Sequence, residues 1–380
     1  MTETILVTGG AGFIGSHLVD SLVERGHEVR VFDNLEPQVH GELRESGSWP
    51  EYSNPAAEYV LGDVRDRDAL EAAMSGMDVV FHEAAMVGVG QSMYQIERYV
   101  DVNARGTAVL LDIVANESSI RDRLRRLVVA SSMSIYGEGS FECEEHGLVF
   151  PKLRTEEQLA RRDWELHCTQ CDRHVKPLPT DEDKPLIPTS TYAISKKDQE
   201  EMCLVVGRAY NIPTVALRYF NTYGPRQALS NPYTGVAAIF ASRLLNNNPP
   251  VIFEDGQQSR DFVHVSDIVQ ANLLAMTSEN MKYQAFNVGT GRPVTILEVA
   301  ETQKELLNSE SKLDITSDFR AGDIRHCFSD VSQISIHGYS PVYSFSDGMA
   351  DLVSWQREQK PIDQFEDAAR ELSSRGLTSI

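Results

Sequence analysis

The chain is poor in the features that would place it outside ordinary soluble globular proteins. No apolar run approaches the roughly 18 residues of a membrane-spanning helix. The first residues enter a strand pattern directly, without the basic, apolar and small-residue layout of a signal peptide. A cytoplasmic protein with no membrane partner is expected. Five cysteines in 380 residues, an odd number without a secretory signal, do not make a disulfide framework. Basic residues are also scarce: 35 Lys and Arg stand against 56 Asp and Glu, a formal charge of −21. Nucleic acids are bound by clustered Lys and Arg, so no nucleic-acid partner is expected, and any anionic ligand must meet a local basic pocket. The acidity is consistent with a high-salt cytoplasm and also with ordinary solubility.

What is present begins at once. ETILVTGG is a short apolar strand running into glycines, AGFIGSHLVDSLVERG has helical periodicity with a stop at Gly26, and HEVRVFDN is a second strand ending in Asp33. Gly9, Gly10, Gly12 and Gly15 fit a turn that lets backbone approach a pyrophosphate and a helix pack close to a sheet. The helix N-terminus supplies free N–H groups. Asp33 would accept hydrogen bonds from ribose hydroxyls and repel a 2′-phosphate; with Asn34 next and no Arg beside it, NAD is favoured over NADP. Strands and helices then keep alternating through AEYVLGDV, MDVVFHEAA and RLRRLVVASS, which implies a doubly wound parallel α/β sheet of Rossmann type. Ligands gather outside the carboxyl ends of such strands. Asp63 and Val64 are therefore expected near the adenine, and Ala84 and Ala85 near ribose and phosphates.

Ser131 and Ser132 close the strand LVVASS, and STYAISKKDQEEMC carries Tyr192 and Lys196 one helical turn apart. A nearby ammonium, together with the positive nicotinamide of NAD⁺, favours phenolate over phenol, so Lys196 and the bound cofactor are expected to lower the Tyr192 pKa and make it a general base for an alcohol. Ser132 would hold the same hydroxyl.

Taken in order, TGGAGFIG, Asp33, GDV, Asn103 in NARGT, ASSMSIYG, YAISK, RYFNTYGPRQ, RDFVHVSD and RAGDIRH resemble the extended short-chain dehydrogenase/reductases, specifically their NAD-dependent nucleotide-sugar epimerase/dehydratase group. The resemblance covers roughly residues 3 to 357 apart from one insertion. It implies a catalytic set of Ser132, Tyr192 and Lys196, and an NAD site including Gly9, Gly12, Phe13, Ile14, Gly15, Asn34, Asn103 and Tyr219. It also implies a nucleotide-diphosphate sugar as substrate, met by Ser134, Asn221, Asn231, Arg260, Arg320, Asp323 and Arg325, with Arg226 a further candidate and Gln258 against the base. A homodimer is implied as well. Dehydratases of the group carry Asp-Glu directly after the catalytic hydroxyl residue, where this chain has Met133 and Ser134; 4-epimerisation through a transient 4-keto sugar is expected instead. The chain resembles epimerases acting on dTDP-L-rhamnose more than those acting on UDP-galactose. Cys327 takes the position that borders the C2 substituent, so UDP-N-acetylhexosamines remain open. A non-catalytic NAD sensor is the contrasting reading, and the presence of Ser132, Tyr192 and Lys196 together argues against it.

In domain terms, residues 1–215 are expected to form the NAD-binding domain, its sheet completed by parts of 260–290. Residues 216–360 would be a smaller, mostly substrate-binding domain, and 361–380 a peripheral helix or tail. The family's usual short connection between Tyr136 and Tyr192 is replaced by an insertion at 138–186. It opens with FECEEHG and closes with HCTQC, so Cys143, His146, Cys168 and Cys171 have the layout of a small zinc ribbon with a closed, structural site. His167 or His174 could stand in for His146. Inert thiols and a redox C-x-x-C are the other readings, the latter opposed by Pro177 and Pro179 where a helix start belongs.

Overall fold

A computed structural model describes residues 2–320 and 322–378. Seven strands form one sheet: β1 Thr4–Thr8, β2 Glu28–Asp33, β3 Glu58–Leu61, β4 Val79–His82, β5 Arg126–Ser132, β6 Thr214–Tyr219 and β7 Gln284–Val288. Their spatial order is β7-β6-β5-β4-β1-β2-β3, and every pair is parallel. The sheet is buried on both faces, which is why its strands read as continuous apolar runs. Alternate residues of one strand serve opposite cores. Ile5, Val7, Val31, Phe81, Val128, Leu217 and Phe286 pack to one side with Leu18 and Leu22 of helix α1 (Phe13–Glu24). Leu6, Phe32, Val80, Leu127, Val129 and Ala216 pack to the other, against Cys203 of helix α2 (Thr191–Ala209) and Leu110 of the helix Gly106–Asn116. Each such side chain contributes about 1.5–3 kcal/mol on burial.

The chain order reverses between β1 and β4, the neighbours from which strands run outward in both directions. That switch point opens a crevice at the carboxyl ends of the strands.

A second lobe is built on a short mixed sheet. Asn221–Tyr223 pairs parallel with Ser259–His264, which also pairs antiparallel with Pro293–Thr295 and parallel with His326–Cys327. The chain enters this lobe after β6, returns through the helix Val265–Thr277 to lay down β7, and then leaves again. The insertion forms a separate three-stranded antiparallel sheet of Ser140–Cys143, Gly147–Val149 and Lys176–Leu178. Residues 361–380 are expected at the periphery, and 379 and 380 lie outside the described residues. The segment contains the helix Phe365–Ser374, which buries Ala368 and Leu372 and is tied by Glu366 to Arg243 at 2.9 Å. Its amphipathic face has a wall to join, so it packs inward.

Candidate active site

One cavity of about 600 Å³ runs from the switch point into the second lobe. At its sheet end the turn after β1 closes on the turn after β4 so tightly that side chains are excluded. A Cβ on Gly9 would lie 2.7 Å from the Ala84 backbone nitrogen, and one on Gly15 would lie 2.3 Å from the Gly9 carbonyl oxygen. Gly9 also has a φ of +73°. The first turn of α1 carries no acidic residue, leaving its N–H groups and dipole to the crevice. Asp33, at the end of β2, takes N–H bonds from Ala11 at 3.0 Å and Leu35 at 2.9 Å and so braces the glycine turn. Burial pushes its carboxyl up, against the pull of the Leu35 N–H and His40. A backbone cradle with an acid at the next strand end fits a dinucleotide.

Of the residues expected to hold cofactor, Gly9, Gly12, Phe13, Ile14, Gly15, Asp33, Asn34, Val64, Ala84, Ala85, Tyr192, Lys196 and Tyr219 border this cavity. Two stand behind it. Asp63 is bonded to Asn34 at 3.0 Å and to Arg65 at 2.7 Å, which together hold it well below the usual carboxylate range. Asn103, in a π-helical turn at Val100–Arg105, is completely buried and bonds Met86 N–H at 2.7 Å, Met86 C=O at 3.0 Å and Ser195 at 3.0 Å. It joins the turn after β4 to α2 rather than facing a ligand.

Ser132 ends β5 and Tyr192 begins α2, whose N-terminus is capped by Ser190 accepting the Ala193 N–H at 3.1 Å. The cap fixes where the first helical turn starts, and therefore where Tyr192 and Lys196 point. Strand alternation separates the two serines: Ser131 donates to Glu200 at 2.6 Å, while the Ser132 hydroxyl accepts from Ser134 Oγ at 2.9 Å. Burial pushes the Tyr192 phenol up, opposed by the neighbouring Ser132 hydroxyl. Taking the phenolate out of water outweighs the one hydroxyl that supports it; the expected lowering counts the nicotinamide charge as well as Lys196. Lys196 is pulled down to about 8 by burial, against the attraction of Glu83, Cys203 and Glu200.

Glu83 was not among the expected residues. It borders the cavity, accepts from the Tyr219 hydroxyl at 2.9 Å, and is pushed up to about 7 by desolvation. Its only trace in the sequence is a charged residue directly after the strand residues VVFH.

Ser134, Asn221, Asn231, Arg260, Arg320 and Asp323 also border the cavity. The Arg260 guanidinium is clamped by the carbonyls of Ser259, Ile324 and Arg325 at 2.6–2.9 Å. Arg320 pairs with Asp323 at 2.8 Å and lies over the Phe253 ring at 4.7 Å. Buried side-chain oxygens of Asn221, Gln227 and Gln258 have no protein partner although all three residues border the cavity. Such atoms are costly unless a ligand meets them.

Three expectations change. Arg325 is not in the cavity wall: its guanidinium is spent on Glu165 at 2.6 Å, Asp255 at 2.7 Å and Glu254 at 3.0 Å. A planar fork suits carboxylates as well as phosphates. Arg226 pairs with Asp20 at 2.8 Å and lies over Tyr52, outside the wall. Cys327 is 1% exposed beside Thr180 and does not border the space for a sugar. Conversely, Phe365, Ala368, Ala369 and Leu372 of the C-terminal helix do form part of the wall.

In the insertion, Cys143, His146, Cys168 and Cys171 bring their four ligand atoms within 4.8 Å of one another. His167 and His174 turn instead toward Asp163, at 3.1 and 3.5 Å.

The model of the NAD dependent epimerase/dehydratase family matches residues 5–158 and 170–289. The chain is similar to a dTDP-L-rhamnose 4-epimerase of Burkholderia thailandensis, 32% identical over 93% of this chain and 94% of that protein. Among solved structures it is similar to the UDP-glucose 4-epimerase of Thermotoga maritima with UDP-glucose, 31% identical with a TM-score of 0.74 over 93% of this chain and 99% of that one. It is likewise similar to the Thermus thermophilus UDP-glucose 4-epimerase in complex with NAD, 29% identical with a TM-score of 0.73 over 94% and 100%. With the family model matching most of the chain around one shared cradle and sheet, this protein belongs to the NAD dependent epimerase/dehydratase family.

Proposed function

We propose that the protein is a nucleotide-sugar 4-epimerase using tightly held NAD, and that it interconverts dTDP-L-rhamnose and dTDP-6-deoxy-L-talose. One observation carries the reading: the glycine cradle, the Ser132, Tyr192 and Lys196 side chains, and the carbonyl-clamped guanidinium of Arg260 all border the same cavity. The cradle and Asp33 would hold NAD, which supplies an acceptor for the C4 hydride and gives it back. Tyr192 takes the proton of the sugar 4-hydroxyl on its phenolic oxygen. Ser132, oriented by Ser134, hydrogen-bonds the same sugar oxygen and keeps it there as it becomes a carbonyl. The Lys196 ammonium offsets the cost of a buried phenolate. Arg260 and Arg320 grip the diphosphate while the 4-keto sugar turns about that linkage, and Tyr192 returns the proton to the opposite epimer.

Met133 and Ser134 leave no acid–base pair for elimination of water, which supports epimerisation over dehydration. The wall next to Tyr192 supports a 6-deoxy sugar. Met86, Val87, Val89 and Met93 border the cavity, and Met86 packs with Tyr192 and Tyr99. A methyl group loses nothing against such a wall, whereas a 6-hydroxyl would need a partner. A UDP-hexose is the second reading, favoured by the similarity to the Thermotoga maritima enzyme with UDP-glucose. The test is incubation of purified protein with dTDP-L-rhamnose, UDP-galactose or UDP-N-acetylglucosamine without added NAD, following the C4 proton by NMR. Epimerisation of the first alone is expected. No C4 epimer from any of the three defeats the assignment.

A further inference from the structure

The insertion has too small a core to hold itself together. The one apolar cluster confined to it consists of Phe141, Cys143, Val149, Leu166, Cys168 and Val175. Units of this size usually need a disulfide or a metal. Cys143 stands at the end of the first strand and His146 in the following turn, closed by Gly147 at φ +67°. Cys168 and Cys171 stand in a second turn, where Cys168 N–H bonds Arg173 C=O at 2.8 Å, Asp172 N–H bonds Cys168 C=O at 2.9 Å, and Gln170 N–H points at the Cys168 sulfur at 3.5 Å. Two facing turns with N–H groups aimed at sulfur are suited to thiolates.

The distances decide among the readings. Cys143 Sγ lies 3.6 Å from Cys171 Sγ, and His146 Nδ1 lies 3.5 Å from Cys143 Sγ and 3.6 Å from Cys168 Sγ. A disulfide would put sulfurs about 2 Å apart. A tetrahedron with Zn–S of about 2.3 Å and Zn–N of about 2.0 Å has S···S edges of roughly 3.8 Å and S···N edges of roughly 3.5 Å. The second pair is not at a helix start, as a redox dithiol would be.

We propose that Cys143, His146, Cys168 and Cys171 bind one Zn²⁺ in a closed structural site, and that this site holds the arm that braces the nucleotide wall of the cavity. The arm between the two ligand pairs delivers Arg154 and Glu165. Arg154 grips both oxygens of Glu254 at 2.8 and 2.9 Å and the Asp323 carbonyl at 3.2 Å. Glu165 grips Arg325 at 2.6 Å and His326 at 3.1 Å. The carbonyls of Ile324 and Arg325 in turn clamp Arg260, and Asp323 pairs with Arg320. With the ribbon slack, both arginines lose their backing, while the glycine cradle, on the other side of the cavity, keeps its own. This second half rests on the nucleotide-sugar reading above; the metal itself does not.

The experiment begins with elemental analysis of the protein purified without chelator. One zinc per chain is expected, lost in Cys171→Ser and kept in His146→Cys, which restores a four-ligand set. Should Cys171→Ser fail to fold, replacing zinc by Co²⁺ in the wild type reads the site directly through thiolate-to-cobalt absorption and tetrahedral d–d bands. Protein that holds no zinc and shows no such Co²⁺ spectrum overturns the site, whatever its activity. For the brace, zinc removal is expected to raise KM for the nucleotide sugar roughly two- to thirtyfold with bound NAD unchanged. An unchanged KM in zinc-free folded protein overturns the brace alone.

Discussion

Arg325→Met separates two roles for one guanidinium. The Arg325 side chain is 1% exposed and faces Glu254, Asp255 and Glu165, whose side chains are 2%, 37% and 38% exposed. Removing one member of a buried ion pair costs about 3–5 kcal/mol, because the other charge stays buried. Here Glu254 keeps Arg154, and the other two carboxylates are more than a third exposed and screened, so the low end of about 3 kcal/mol is expected. For a chain of this size that is a fall in Tm of about 4 °C, read by thermal melting beside KM for the nucleotide sugar. The double variant Arg325→Met/Glu165→Gln should lose less than the two single losses combined, since it removes partners of one network. Acid narrows the gap. His326 and Arg325 hold the Glu165 carboxyl down to about 2. Its contribution is therefore complete above the ordinary carboxyl pKa of about 4.3 and is lost as pH falls toward 2. A variant that melts like the wild type yet binds the nucleotide sugar a hundredfold more weakly would put Arg325 on the diphosphate and refute the structural role.

Three further outcomes are expected. Gly15→Ala drives a Cβ into backbone at 2.3 Å and should lower Tm and abolish bound NAD. Gly12→Ala, whose nearest neighbour is the Gly9 carbonyl at 3.2 Å, should lose NAD while melting nearly as the wild type; acid-released NAD and a thermal melt distinguish them, and equal behaviour counts against the cradle geometry. Tyr192→Phe should lower kcat about 10²–10⁴-fold with NAD retained; full turnover removes the proton-transfer role. The Lys196 ammonium is complete below about 8 and lost above it, so activity should fall as pH rises through that value. Glu83 favours that ammonium, so Glu83→Gln should move the alkaline limb to lower pH, and a limb that stays or moves up rejects the coupling.

The cradle was legible because its chemistry is local: strand, glycines, helix and acid lie within residues 4–33, and the backbone atoms that exclude a Cβ are a few positions away or at the neighbouring strand end. Tyr192 and Lys196 were legible for the same reason, being one turn apart on α2. Their electrostatics were not, because burial, which pushes the Tyr192 phenol up and the Lys196 ammonium down, is set by the whole fold. Glu83 escaped notice because its partner Tyr219 is 136 positions away. Arg325 was misplaced because a guanidinium fork reads the same toward a phosphate and a carboxylate, and only the fold brings Glu165, Glu254 and Asp255 to it. The ribbon's four ligands were visible as two spaced pairs. The choice of His146 over His167 and His174 needed the geometry, since Asp163 draws the other two aside.

The late arrival of β7 has a mechanical consequence. The polypeptide passes between sheet and second lobe at least three times: after β6, through the helix Val265–Thr277, and after β7. A clamshell joined by one strand opens on a single pivot; one stitched three times must bend all its threads together. The cavity between the two parts is thus built to resist gaping, which suits the proposed reaction, in which a small sugar swings inside while the dinucleotide stays put from one turnover to the next.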